Sequence, residues 1–155
     1  MVWWLSILLL FPLVILMISD IRSRTVSSWW LLAFGIPNII FLGLLYGWKC
    51  VTGRVIGDLL LLLVIGTALL VYAKAKHMQL AELLGAGDVI FLIAISPAFG
   101  LADYIKYIVG SSLIGILIWP LIRKSQPHKT GVPMISVMAF VYSVVMGYRL
   151  LTAQL

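Results

Sequence analysis

The stretch VIGDLLLLLVIGTALLVYA, residues 55–73, contains a single charged residue, Asp58. A helix that crosses the hydrocarbon core of a bilayer needs roughly 20 mainly apolar residues. This stretch has that length and composition, so it predicts a membrane-spanning helix and decides the fold class.

The composition of the whole chain leads to the same class. Of its 155 residues, 63% are hydrophobic and 10% are charged, and the mean hydropathy is +1.17. A soluble domain typically has about half its residues apolar and about a quarter charged. We therefore expect an all-α, polytopic integral membrane protein surrounded by the lipid bilayer, with residues 1–155 forming a single transmembrane domain.

Six apolar runs follow one another along the chain. They are residues 2–19, 29–46, 55–73, a run within 80–99, 104–121 and 133–150. These runs predict about six transmembrane helices. The fourth is the least regular, because Glu82, Gly85, Gly87 and Asp88 occupy its first half. We expect that helix to be short or broken near Gly85–Asp88, since glycine disfavours a helix.

The basic residues predict the orientation of these spans. The first, third and fifth connections contain Arg22, Arg24, Lys74, Lys76, Arg123, Lys124 and Lys129. The second and fourth connections and the C-terminal end contain Lys49, Arg54, Lys106 and Arg149. Lys and Arg are enriched in cytoplasmic loops. The odd connections are therefore predicted to be cytoplasmic and both termini outside. Orientation also accounts for the net charge of +6 without a nucleic-acid partner.

Cysteine and histidine are too scarce for a structural metal site. The chain has one cysteine, Cys50, and two histidines, His77 and His128. A structural zinc site needs four such ligands. We expect no metal and no cofactor.

The five acidic residues are the candidate functional residues. A carboxylate inside the membrane costs free energy, so its presence there is taken as a sign of function. Asp58 and Asp103 fall at the predicted outer ends of spans three and five, where we expect hydrated surface positions. Asp20 follows the first span, and Asp88 lies near the start of the fourth. Alternating spans bring Asp20 and Asp88 to the same, cytoplasmic face.

Two interpretations of this acidic pair stay open on topology alone. Asp20 could pair with Arg22 or Arg24 while Asp88 caps its helix, or the two carboxyl groups could act together. The backbone of Leu84-Gly85-Ala86-Gly87-Asp88-Val89 favours the second interpretation. Non-helical backbone at membrane depth is tolerated only where protein buries it or water lines it.

The same residues resemble a known family. Gly85-Ala86-Gly87-Asp88 matches the Gly-x-Gly-Asp signature of intramembrane aspartyl proteases, and Asp20 with the basic residues after it resembles the first motif of the type IV prepilin peptidases. The chain departs from the family pattern at Val26-Ser27 and at Ile90. Pro133 is the one residue retained from a Pro-rich segment of the family.

The resemblance implies a membrane aspartyl endopeptidase of a prokaryotic cytoplasmic (inner) membrane, with its active site facing the cytoplasm. Asp20 and Asp88 would be the catalytic pair, and Gly85 and Gly87 would bind the substrate, a prepilin-like precursor with a basic leader. Glu82 could hold that leader, or pair with a nearby lysine on the surface. The short first connection without cysteine resembles the peptidase-only form, without N-methyltransferase activity. The oligomeric state is not predicted.

Two functions of other classes remain as alternatives. Paired acids at a broken helix are also typical of small proton-coupled transporters. A non-catalytic membrane subunit of a pilus or secretion assembly would use the acids only to pair with arginines. The lack of matching halves in the sequence and the position of the acids near one face disfavour the transporter.

Overall fold

The computed structural model describes residues 3–23, 27–78, 85–125 and 134–152. Within these ranges the chain forms six α-helices and no strand. They are α1 (Trp3–Ser23), α2 (Ser28–Tyr46), α3 (Trp48–Lys76), α4 (Ala86–Ile95), α5 (Leu101–Ser125) and α6 (Met134–Thr152), and a 3-10 turn, Ser96–Ala98, follows α4. The predicted all-α class is confirmed.

Three of the described helices are long and apolar enough to cross a membrane. They are Ser28–Tyr46, Trp48–Lys76 and Leu101–Pro120. The apolar helices Ala86–Ala98 and Met134–Arg149 are shorter. The chain is therefore an all-α membrane protein, and the crossing of the bilayer by all six helices stays a prediction.

The third helix begins earlier than its apolar run predicts. Gly47 alone separates α2 from α3, and it adopts a φ of 84° that glycine tolerates without strain. Its N–H donates to the carbonyl oxygen of Gly43 at 3.0 Å. The prediction that Lys49 and Arg54 lie in a loop was wrong, because this turn lets the helix restart at Trp48.

The described chain divides into two compact units. The first contains Met1–Trp30 and Ile105–Leu155, and the second contains Leu31–Tyr104. In the first unit α1 packs against α6. In the second, α3 packs against α4 and the 3-10 turn. The single transmembrane domain over the whole chain stays a prediction.

In the second unit α2 and α4 approach closely. The rings of Phe34 and Phe91 stack with their centroids 5.7 Å apart. A methyl group on Gly35 would come within 3.1 Å of the Ala94 Cβ, so the lack of a side chain at this position allows the two helices to touch.

Helix α4 is short, as predicted, and its last carbonyl groups bind side chains of its neighbours. Tyr104 donates its hydroxyl to Leu92 O at 2.9 Å, and Asn38 donates its amide to Ala94 O at 2.9 Å. The Arg54 guanidinium lies 3.4 Å from Pro97 O in the 3-10 turn. The last carbonyl groups of a helix lack part of the regular hydrogen bonding of its interior, and here the N–H of Ser96 donates to Leu92 O and Ile93 O. These side chains therefore take the place that water has at a helix end in solution.

Candidate active site

Asp20 lies near the end of α1 and is buried, with 7% of its surface exposed. Its Oδ2 atom accepts two hydrogen bonds from Ser136, one from the backbone N–H and one from the hydroxyl, both 2.9 Å long. Because Ser136 stands 116 positions later in the chain, the contact depends on the packing of α1 against α6.

The two helix ends have opposite effects on a carboxylate at this position. The last turn of α1 is the negative end of its helix dipole, which disfavours a negative charge. Ser136 is the third residue of α6, so its N–H has no acceptor within that helix. The amino-terminal end of a helix stabilises an anion, and α6 thus offsets the unfavourable end of α1.

The Ser136 hydroxyl has a second neighbour on α1. Its Oγ lies 2.9 Å from the carbonyl oxygen of Met17, as well as 2.9 Å from Asp20 Oδ2. Within the described part of the chain, the other carboxylate oxygen of Asp20, Oδ1, accepts no hydrogen bond. The two hydrogen bonds of Ser136 therefore hold one oxygen of Asp20 in place.

Asp88 lies in the first turn of α4 and is partly exposed. The helix begins after Gly85, which is extended with φ of −70° and ψ of 138°. The Gly85 carbonyl oxygen accepts hydrogen bonds from the N–H groups of Asp88 and Val89, at 3.1 and 3.3 Å. A methyl group on Gly85 would come within 3.0 Å of Asp88 Oδ2. Because glycine has no side chain, the Asp88 carboxylate can occupy the space beside position 85.

The two glycines of the Gly-x-Gly-Asp stretch differ in conformation. Gly85 is exposed and precedes the helix, whereas Gly87 is already helical and half-buried. The predicted irregularity therefore lies at Gly85, where α4 begins. A role of Gly85 and Gly87 in binding substrate stays a prediction.

The sequence prediction for Asp58 was wrong. Asp58 is fully buried, and neither of its carboxylate oxygens has a hydrogen-bond partner among the described residues. Because α3 begins at Trp48, Asp58 lies almost three turns inside the helix rather than at its hydrated end. Asp103, by contrast, is exposed as predicted.

Arg54 is the nearest charge to Asp58 along α3. The two residues are four positions apart, so they share one face of the helix, and the charges of the two side chains interact. The guanidinium lies 4.7 Å from the ring centre of Tyr46. The sequence analysis missed this pair, and the spacing of four between a basic and an acidic residue is the signal that could have found it.

Several residues considered from the sequence lie outside the described ranges. They are Arg24, Val26, Glu82, His128, Lys129 and Pro133. Within the described ranges, no group of three His, Cys, Asp or Glu residues could hold a metal ion.

Comparison with known proteins identifies one family. The model of the type IV leader peptidase family matches residues 7–120. This range includes Asp20, Asp88 and both glycines, but it ends before α6 and therefore leaves out Ser136. No curated protein and no solved structure matches the chain.

Proposed function

The chain belongs to the type IV leader peptidase family, and from that membership we propose that it is an aspartic endopeptidase that removes the basic leader of prepilin-like precursors. Membership of the family makes it a peptidase. The aspartic type, the substrate and the membrane face are our proposals.

The observation that carries the proposal is the extent of the family match. The match covers residues 7–120 and so includes both Asp20 and Asp88. Each of these carboxyl groups stands at a helix terminus, Asp20 near the end of α1 and Asp88 in the first turn of α4. Both positions agree with the resemblance, which assigns the two residues as the catalytic pair.

Hydrolysis by two carboxyl groups needs one ionised and one protonated. The carboxylate takes a proton from water, whose oxygen bonds to the carbonyl carbon of the scissile peptide. The carboxylic acid gives its proton to the carbonyl oxygen, which forms a tetrahedral gem-diol. When the C–N bond breaks, the leaving nitrogen receives a proton, and an acid and an amine result.

The surroundings of Asp20 and Asp88 suit these roles. Two hydrogen bonds from Ser136 fix the Asp20 carboxyl group, and its Oδ1 atom accepts none from the described residues. Asp88 is partly exposed beside the exposed, extended backbone of Gly85. Extended backbone can pair with an extended peptide, so we propose that Gly85 pairs with the substrate next to Asp88. We propose that Gly87, which is helical and has no side chain, leaves space for the substrate there.

We propose that the site faces the cytoplasm of a prokaryote, at the inner membrane, with both termini outside. Loop charge supports this orientation. The third helix ends with Lys74 and Lys76 in its last turn, and His77 closes it in the left-handed conformation. A precursor with a basic leader in the cytoplasm and an apolar helix in the membrane would be cut at this interface.

We also propose that the protein lacks N-methyltransferase activity. Helix α1 ends at Ser23 and α2 begins at Ser28, so the first connection is too short for an inserted domain. This supports the short, peptidase-only form.

The test is cleavage of a precursor by the purified, detergent-solubilised protein. The probe is a chimeric precursor with a basic leader that ends in Gly, followed by an apolar helix, and the readout is the shortened product by mass spectrometry. We expect the unaltered protein to cleave it and Asp20→Asn and Asp88→Asn each to lower the rate at least about 10³-fold.

Asp103→Asn is the matched control, because it removes an exposed carboxylate at the start of another helix. We expect it to cleave at the unaltered rate. Substantial activity in either Asp20→Asn or Asp88→Asn would overturn the catalytic pair. No cleavage by the unaltered protein would favour the non-catalytic assembly subunit instead.

A further inference from the structure

The Ser136 hydroxyl lies at equal distance from two oxygens of α1. Its Oγ is 2.9 Å from Asp20 Oδ2 and 2.9 Å from Met17 O. A hydroxyl has one proton to donate and two lone pairs to accept with. A backbone carbonyl can only accept. The hydroxyl proton can therefore go to either of two acceptors, the Asp20 carboxyl group or the Met17 carbonyl group.

When Asp20 is ionised, its Oδ2 can only accept, so the Ser136 hydroxyl donates to it. When Asp20 carries a proton on Oδ1, which accepts no hydrogen bond from the described residues, its Oδ2 is a carbonyl oxygen and still accepts from the hydroxyl. The Ser136 N–H donates to Oδ2 in both cases, for the same reason. Both hydrogen bonds from Ser136 to Asp20 are thus kept in either state.

We propose that Ser136 is a positioning residue that keeps Asp20 in one geometry while its proton comes and goes. This inference rests on the proposed function, in which each carboxyl group of the pair changes its protonation during turnover. Because both donors stay on Oδ2, the carboxyl group keeps its position when its proton is gained or lost. Ser136 lies beyond the residues matched by the family, so this role is a property read from the structure of this chain.

Within the described part of the chain, few other ionisable groups stand near Asp20 on the helices that pack here. Tyr107 of α5 reaches α6, where its hydroxyl donates to Met138 O. On α1 the described one is Arg22, which is exposed and two positions along the helix, so it points to a different side. On α6 they are Tyr142, Tyr148 and Arg149. The nearest, Tyr142, is six positions or almost two turns beyond Ser136. Removal of the Ser136 hydroxyl should therefore test whether its hydrogen bond to Asp20 contributes to the rate of cleavage.

The experiment measures kcat, KM and the pH profile of cleavage for Ser136→Ala, with the chimeric precursor as substrate. We expect kcat to fall about 10-fold with KM changed less than about 3-fold, because Ser136 is buried, with 5% of its surface exposed, and holds Asp20. We also expect the pH profile of cleavage to differ from that of the unaltered protein, because the removed hydroxyl binds the Asp20 carboxyl group directly.

Two further variants separate positioning from folding. Ser136→Thr keeps the hydroxyl and should restore kcat and the pH profile. Ser143→Ala removes a hydroxyl from the same helix, where it binds only its own turn at Ala139 O, and should leave both unchanged.

The outcomes distinguish this inference from the proposed function. If Asp20→Asn is inactive but Ser136→Ala keeps the unaltered kcat and pH profile, the role of Ser136 is overturned and the catalytic pair stands. If Ser136→Thr fails to restore Ser136→Ala, the hydroxyl is not the active group. If Asp20→Asn remains active, the catalytic pair and this inference fail together.

Discussion

The side-chain amide of Asn38 on α2 donates a 2.9 Å hydrogen bond to the carbonyl oxygen of Ala94 on α4, 56 positions away. Asn38 is fully buried. A polar side chain in an apolar surrounding is costly unless it is hydrogen-bonded, and so is a carbonyl group at the end of a helix. Each group thus satisfies the other, and the bond ties the end of the short helix to its neighbour.

Removal of this amide should loosen α4. We expect Asn38→Ala to lower the free energy of unfolding by about 0.5–2 kcal/mol, the range of single hydrogen bonds between membrane helices. Denaturant titration in mild detergent measures it. Ile36→Ala is the control on the same helix, because Ile36 is largely exposed. An equal loss in both variants would show that the hydrogen bond contributes nothing of its own.

A side chain at Gly35 should push α2 away from α4. The Cβ of any substitution would lie within 3.1 Å of Ala94 Cβ, and Gly35→Val adds two further methyl groups. Overpacking of this kind costs about 1–3 kcal/mol, which the same unfolding titration measures. Gly66→Val is the matched control, because a Cβ there meets no described atom within 4 Å. Equal stability of the two variants would contradict the close approach.

The buried carboxylate of Asp58 should lower the stability of the protein. Neither of its oxygens is hydrogen-bonded within the described residues, and a hydrophobic replacement of a poorly paired buried charge often stabilises by about 1–4 kcal/mol. We therefore expect Asp58→Leu to unfold at higher denaturant concentration and to cleave the precursor at an unchanged rate. Loss of cleavage without loss of folded protein would instead make Asp58 a functional carboxylate inside the membrane.

A methyl group at Gly85 should disturb Asp88 without unfolding the protein. It would come within 3.0 Å of Asp88 Oδ2, and the carboxyl group can move aside more easily than backbone can. A misplaced catalytic group commonly costs about 10²-fold in rate, so we expect Gly85→Ala to lower kcat by that order with unfolding unchanged.

The control for this variant is Gly100→Ala, because a Cβ at Gly100 meets no described atom within 4 Å. We expect it to keep the unaltered kcat. If Gly85→Ala also cleaves at the unaltered rate, the room that Gly85 gives to Asp88 has no bearing on catalysis.

The helices themselves could be predicted from the sequence, because the apolar runs are long and the composition leaves lipid as the solvent. The start of α3 could not, since its first turns carry Lys49 and Arg54 and look like a loop by polarity. A helix can begin before its apolar stretch when a single glycine makes the turn that precedes the helix. That error of about two turns placed Asp58 in water instead of inside the protein.

The candidate site could be predicted in part. Asp20 and Asp88 stand out because acids are scarce in this chain, and Gly85 stands out because glycine disfavours a helix. Ser136 could not be singled out, since one serine in an apolar run has no periodicity or motif around it. Its contact with Asp20 joins the two ends of the chain, and only the packing of α1 against α6 reveals it.

The lengths of α3 and α4 differ greatly although the two helices are neighbours. With 29 and 10 residues, they measure about 44 Å and 15 Å at 1.5 Å per residue. A hydrocarbon core of about 30 Å is too thin for an upright α3 and too thick for α4. A membrane around the second unit would therefore have to accommodate both lengths, for which tilting of α3 and thinning of the lipid beside α4 are the usual means.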